Sequence, residues 1–235
     1  VRTFLLEKSR VTSASLEKER SYHIFYQMLA GSQEEGRGLP ELKGKHPDDF
    51  YYTSLSGTNY TSSIDDAADF YAMDAALDSC GLEASEKRDL YGILTALLHL
   101  GCVRFAASEG SDTISVQPDT AAALTNAERL LGIGVISELL VEKIVKSPRS
   151  NNVYHIALDL SAATHQRDAL VKHIYLMLFD VIVARINTKI QVEKDFHRFI
   201  GLLDVFGFEV FQHNSFEQLC INYANERLHN FFLMR

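Results

Sequence analysis

Apolar residues recur at helical spacing along much of the chain. Between Glu19 and Ala30, Tyr22, Phe25, Tyr26 and Leu29 fall on one face, and Gly31 reads as the stop. A second helix is expected through Ile64–Asp74, opened by Ser63 or Asp65 as N-cap with acids in its first turn. Ser85 to Leu100 is a third, with Leu90, Ile93, Leu94, Leu97 and Leu98 on one side and Gly101 as its C-cap. The pattern then shortens to two strand-like pieces, Cys102–Ala106 and Thr113–Val116, around a Ser/Gly/Asp turn, which predicts a β-hairpin. Helices are expected over Thr120–Leu131 and Val135–Ile144, broken by Gly132 and Gly134. Residues 148–164 read as irregular surface. From Arg167 to Ile190 the pattern predicts one long helix apolar enough for burial nearly all round. Phe199–Leu203 reads as a buried strand leading directly into Asp204. A last helix follows, opened by a capping box of Ser215 with Gln218, with Phe216, Leu219, Cys220 and Tyr223 as its apolar face. The expected class is mainly α with a few β-strands.

Composition narrows the function. At 235 residues, 46% hydrophobic and 23% charged, the chain can bury one sizeable core or two modest ones. A net charge of −8 argues against a nucleic-acid module, which would carry a basic patch. The longest uncharged run, Leu90–Val103, has 14 residues, short of the roughly 18 that span a bilayer, so no transmembrane segment is expected. Cys80, Cys102 and Cys220 lie far apart without C-x-x-C spacing, as in a reducing cytoplasm. The chain opens on Val1 rather than Met, and more sequence is expected upstream.

The chemistry concentrates after the expected strand. Asp204-Val-Phe-Gly207 is D-x-x-G: the acid can hold magnesium, and a glycine amide can approach a phosphate because no Cβ intervenes. Alone the tetrapeptide also fits an ordinary strand ending in a solvated Asp and a turn. Gly31 to Gly36 mimics the spacing of a phosphate loop but continues with Arg37 and Gly38 where Lys and Ser/Thr are needed, so it reads as a surface turn. Asp65 and Asp66 look like local helix-start acids rather than a catalytic pair. His23, among aromatics, reads as a packed core histidine.

The run LLDVFGFEVFQHNSFEQLCINYANERLHNFF resembles the switch II loop and relay helix of a myosin motor head. LLEKSRV with ERSYHIFYQML resembles the segment just after switch I, and FYYTSLSG, IDDAADF and LLHLG also resemble myosin segments. The resemblance implies part of the α/β P-loop motor fold. It makes residues 1–195 the upper subdomain of the actin-binding cleft, and 196–235 the switch II strand and loop with the first part of the relay helix. It implies ATP and Mg2+ as cofactors. Asp204 would enter the magnesium shell through a water, with the Gly207 amide on the γ-phosphate and Phe208 beside it. Glu209 would pair with a switch I arginine outside this sequence. Asn214, Phe216, Phe231 and Phe232 would belong to the relay. Arg149, Ser150, Asn151, Asn152, Val153 and Tyr154 would form the loop that faces the actin filament.

Many myosins carry a Ser, Thr, Asp or Glu 16 residues before the Asp of D-A-L-x-K, and that count back from Asp168 lands on Asn152, which can neither carry charge nor be phosphorylated. Light chains or calmodulin would bind only through a C-terminal neck beyond this span. The localisation implied is the cytoplasm, on the actin cytoskeleton. Rival readings are a non-catalytic actin-binding or pseudo-motor fragment, and another P-loop switch protein such as a GTPase or kinesin-like motor. FGFE followed by INYANERL argues against the latter. No G-x-x-x-x-G-K-[ST] occurs in the 235 residues, so this polypeptide by itself is expected to have no ATPase activity. Calorimetric titration with magnesium-ATP checks this: saturable binding at micromolar nucleotide would reveal an unrecognised phosphate site.

Overall fold

Helix α5, Ala84–Gly101, runs through the core, with Leu90, Leu94, Leu97, Leu98 and Leu100 buried along it. Its start is fixed by the Glu86 carboxylate accepting from the Glu83 backbone N–H at 2.9 Å. The computed structural model describes residues 1–12, 19–33, 40–107, 113–147, 152–190, 198, 200–212 and 214–234. Before α5 come α1 (Ser9–Thr12), α2 (His23–Gly31), α3 (Tyr51–Ser54) and α4 (Asp66–Ser79). After it come β1 (Phe105–Ala107), β2 (Ile114–Val116), α6 (Ala121–Leu131), α7 (Ile136–Val141), β3 (Glu142–Lys146), β4 (Val153–Ala157), α8 (Leu160–Lys189) and α9 (Phe216–Leu233). The two sheets are antiparallel hairpins, β1 with β2 and β3 with β4. The class is mainly α, as the periodicity indicates. Among the described residues no helix is long and apolar enough to cross a membrane.

The core forms where α5 meets α2, α4, α6 and α8. Phe25, Tyr26, Met28 and Leu29 of α2 are fully buried. Gly31 is the last residue of α2 rather than a left-handed stop: a Cβ there would lie 2.2 Å from the Phe70 ring of α4. Gly101 likewise ends α5 inside the helix, and its Cβ would sit 2.5 Å from the Tyr52 ring. Both glycines are therefore required by close approach rather than by backbone conformation. Asp65 is the N-cap of α4, accepting from the Ala68 N–H at 3.0 Å, and Asp66 pairs with Arg20 at 2.7 Å.

Several expectations need correction. His23 is exposed at the first turn of α2, because the buried face of that helix is set by Phe25, Tyr26, Met28 and Leu29. The helix expected through Ile144 ends at Val141: Glu142–Lys146 carries β-branched Ile144 and Val145 and finds a partner strand in Val153–Ala157, within the stretch expected to be irregular. Helix α8 begins earlier than expected, at Leu160, because Asp159 caps it by accepting from the Ala162 N–H at 2.7 Å. It is buried on one stripe only, Ala163, Arg167, Val171 and Tyr175 at every fourth residue, while Met177 and Val181 are 55% and 64% exposed. The strand expected over Phe199–Leu203 is not formed in its described residues 200–203, and Ile200 and Leu202 are almost wholly exposed. A strand needs a neighbour for its backbone groups, and among the described residues the strands of the two hairpins pair only within their own hairpin.

Arg167 ties α8 to α5. Its guanidinium, nearly fully buried, donates to the carbonyl oxygens of Val103 (2.6 Å) and Gly101 (3.3 Å) and to Asp168 Oδ1 through Nη2 (2.7 Å) and Nε (2.9 Å). Tyr52 Oη donates to the same carboxylate oxygen at 2.6 Å. Burial pushes the Tyr52 phenol well above its ordinary pKa, so it remains a donor. Arg167→Met would leave the Asp168 carboxylate and two carbonyls without their cation, and is expected to cost about 3 kcal/mol in urea unfolding. A loss below about 1 kcal/mol would show that α8 docks by its apolar stripe alone.

Candidate functional site

The segment 200–212, which contains D-x-x-G, has no regular secondary structure and is held from one side by amide side chains of α9. Asn222 clamps Glu209 in both directions, accepting from its backbone N–H and donating to its carbonyl, each at 2.8 Å. Asn225 Nδ2 donates to the Gly207 carbonyl at 2.9 Å. Asn214 repeats the two-way clamp on Phe211, at 3.0 Å from its N–H and 2.8 Å from its carbonyl. Gln218 completes the face: its Nε2 donates to Glu7 Oε1 (3.1 Å) and Glu209 Oε2 (3.4 Å), and its Oε1 accepts from the Ser215 N–H (2.8 Å). The capping box of Ser215 and Gln218 is thus present as expected.

Gln218, Ile221, Asn222 and Asn225 follow the i, i+3, i+4, i+7 rhythm, and Gln218 and Ile221 are the buried residues of α9. The apolar set Phe216, Leu219 and Tyr223 lies roughly on the opposite side of the helix and is 75%, 63% and 64% exposed. The expectation that this set would be the packed face is corrected here. The neighbour α9 meets in this chain is a loop with open backbone N–H and C=O groups, and amide side chains, with a donor and an acceptor side by side, can satisfy both groups of one residue at once. Amides at positions 218, 222 and 225 were the available signal, masked in sequence by the stronger apolar rhythm. Phe231 and Phe232, at the far end of α9, meet edge to face at 5.9 Å and are exposed.

Across from α9 the N-terminal segment supplies charge. Arg10 binds Glu7 (2.6 Å), Glu19 (2.9 Å) and the Arg20 carbonyl (3.2 Å), and Tyr22 Oη donates to the Glu7 carbonyl at 2.9 Å. Arg20, paired with Asp66, lies 3.8 Å over the Tyr26 ring. These groups and the loop enclose a cavity of about 740 Å³ whose walls include Leu6, Glu7, Arg20, Asp204, Phe206 and Glu209.

The structure therefore brings Asp204 and Glu209 to one cavity and fastens Gly207 beside them. Gly207 has open space around it: a Cβ there would meet nothing within 4 Å. Phe208 is 59% exposed. Among the described residues no group of three or more His, Cys, Asp or Glu side chains gathers, so Asp204 offers a single carboxylate. That donor set fits a magnesium ion shared with phosphate oxygens and water, and does not fit an all-protein cage.

A second surface stands apart from this loop. Arg149, Ser150 and Asn151 lie outside the described residues. Asn152 is exposed, and its carbonyl accepts from the Ser147 N–H at 2.9 Å, closing the β3–β4 hairpin. Val153 and Tyr154 pair with Lys146 and Val145 and are half exposed, as are Ile144 and Ile156. The phosphate-loop mimic at 36–38 also falls outside the described residues.

Residues 1–235 match the family of the myosin head (motor domain), and the chain belongs to that family. It is 40% identical over 237 residues to unconventional myosin-Vb of Homo sapiens, an alignment covering 99% of this chain and 12% of that protein. Myosin-1 of Laccaria bicolor is 39% identical over 236 residues, covering 99% and 18%. Myosin-1 of Yarrowia lipolytica is 36% identical over 237 residues, covering 99% and 19%. The chain thus spans less than a fifth of the length of these curated relatives. It is part of a myosin motor domain.

Asn222→Ala removes both bonds to the Glu209 backbone. Hydrogen exchange across residues 204–210 is expected to accelerate about tenfold or more, with α5 and α8 unchanged. Asn222→Asp keeps the acceptor and loses the donor, so it should fall between. Unchanged exchange in Asn222→Ala would show that other contacts hold the loop.

Proposed function

We propose that this chain supplies switch II, the first part of the relay helix and an actin-facing hairpin to a motor that couples magnesium-ATP hydrolysis to movement along actin filaments. Residues 1–195 act as the upper subdomain of the actin-binding cleft and 196–235 as the switch and relay. The observation that carries this reading is the fastening of the Asp204–Phe211 loop to α9 by Asn222 and Asn225, so that displacement of one displaces the other. A myosin-family chain with that coupling is suited to convert the state of a phosphate into the position of a helix.

In this role Asp204 holds magnesium, directly or through its water, and the Gly207 N–H donates to a γ-phosphate oxygen. Bound magnesium neutralises charge developing on the transferring phosphoryl group. The open backbone at Gly207 leaves room for that approach. Phe208 lies next to the nucleotide, and Glu209 pairs with an arginine from elsewhere in the motor. Asn214, Phe216, Phe231 and Phe232 lie on the relay. The tip at 149–154 faces actin, with half-exposed Val153 and Tyr154 offering apolar contact. Light chains or calmodulin bind beyond this span, and the protein works in the cytoplasm on the actin cytoskeleton. The 235 residues alone do not hydrolyse ATP, since phosphoryl transfer depends on a phosphate cradle and no phosphate-loop motif occurs in them.

Gly207→Ala in the intact motor is expected to lower single-turnover ATP hydrolysis by about 100-fold or more, with a much smaller change in ATP binding. The added methyl meets no protein atom within 4 Å, so thermal stability should hold. Hydrolysis at the wild-type rate would refute the role of Gly207.

Asn152→Glu is expected to raise the ratio of actin-activated to basal turnover about two- to fivefold, the effect of one exposed charge at an interface. Equal changes in both rates would refute the placement of Asn152 at the actin-facing tip.

A further inference from the structure

We propose that Gln218 is a positioning residue for Glu209: its buried amide is the hydrogen-bond donor that holds two neighbouring carboxylates, Glu7 and Glu209, in place. The proposal rests on the switch reading of the Asp204 loop. Gln218 is 4% exposed although it is polar and sits in the first turn of α9. Its orientation is settled by chemistry. Oε1 faces the Ser215 N–H at 2.8 Å, which can only donate, so Nε2 must face the carboxylates. Those are Glu7 Oε1 at 3.1 Å and Glu209 Oε2 at 3.4 Å, which uses both N–H groups of the amide.

Two carboxylates sharing one neighbour in a part-buried site repel, and a donor between them holds both against that repulsion. Glu7 is anchored from behind by Arg10, which Glu19 also binds. Glu209 has no such cation among the described residues; its backbone is clamped by Asn222, and Gln218 is what reaches its carboxylate. The other charged group at this turn is Glu217, whose carboxylate is held below its usual pKa first by the Ser215 hydroxyl, with Lys172 of α8 adding a favourable charge. Gln218 therefore joins three parts of the chain at one amide: the segment before α1, the loop and α9.

Gln218→Glu offers a readout that a packing role would not move. The new carboxyl is nearly isosteric and faces Glu7 and Glu209, so burial and like charge raise its pKa. While protonated it can still donate one hydrogen bond; once ionised it repels both partners. In the intact motor, single-turnover hydrolysis of magnesium-ATP by Gln218→Glu is expected to lie within about threefold of wild type at pH 6. It should fall about 10- to 100-fold relative to wild type by pH 9. Gln218→Met, of similar volume but without a donor, should be reduced by a similar factor at every pH while binding ATP normally. If the Gln218→Glu profile runs parallel to wild type, or Gln218→Met hydrolyses normally, Gln218 does not position Glu209. Gly207→Ala measured beside them separates the two ideas. If it is crippled while the Gln218 variants behave as wild type, only this proposal fails; if it hydrolyses normally, the switch reading fails and this proposal with it.

Discussion

A buried arginine at the crossing of two helices organises the larger part of this chain. Arg167 points into the C-terminal end of α5, where the Gly101 carbonyl lacks a partner one turn further along and the helix dipole favours positive charge. The same guanidinium takes the Val103 carbonyl, the residue that leads into β1, and is neutralised by Asp168. Tyr52 completes the arrangement from α3, and its ring lies so close to α5 that position 101 admits only glycine. One cation thus fixes the end of a helix, the start of a hairpin and the depth at which α8 docks. Burying it costs solvation, and the site is tolerable because each of these acceptors is satisfied by a donor of the right geometry.

Around α9 the physics is different. There the contacts are amide to backbone, the partner segment is exposed, and the burial of apolar surface is slight. Such an attachment is directional and weak per bond, which suits an element that must shift between positions rather than stay fixed. Two-way clamps by Asn222 and Asn214 specify the conformation of the loop without immobilising it through packing. The exposed row of Phe216, Leu219 and Tyr223 leaves a second face of the same helix available to the remainder of a motor domain.

Local chemistry was legible in the sequence where a few adjacent residues decide the outcome. The capping box at Ser215, the N-cap at Asp65 and the β1–β2 hairpin follow from side-chain oxygens, turn residues and strand propensity within about ten positions, and these appear as expected. The mainly helical class followed from periodicity. The family was legible in the Asp204–Phe232 run, since that long sequence pattern carries both the loop and the helix that holds it.

Tertiary structure decided what depends on a distant neighbour. Glycines 31 and 101 look like helix stops, but rings from other helices make them sites of close approach. Glu142–Lys146 continues a helical rhythm until Val153–Ala157 lies beside it and makes a strand the better use of its backbone groups. Residues 200–203 have strand composition, yet a strand is a paired object, and composition cannot provide a partner. The working face of α9 is the clearest case. Periodicity ranks residues by hydrophobicity, so it selects Phe216, Leu219 and Tyr223, whereas the loop that packs there presents hydrogen-bonding groups and selects Gln218, Asn222 and Asn225. The sequence determined which faces α9 could offer; the fold determined which one was used, because only contact reveals whether the neighbour is apolar or polar.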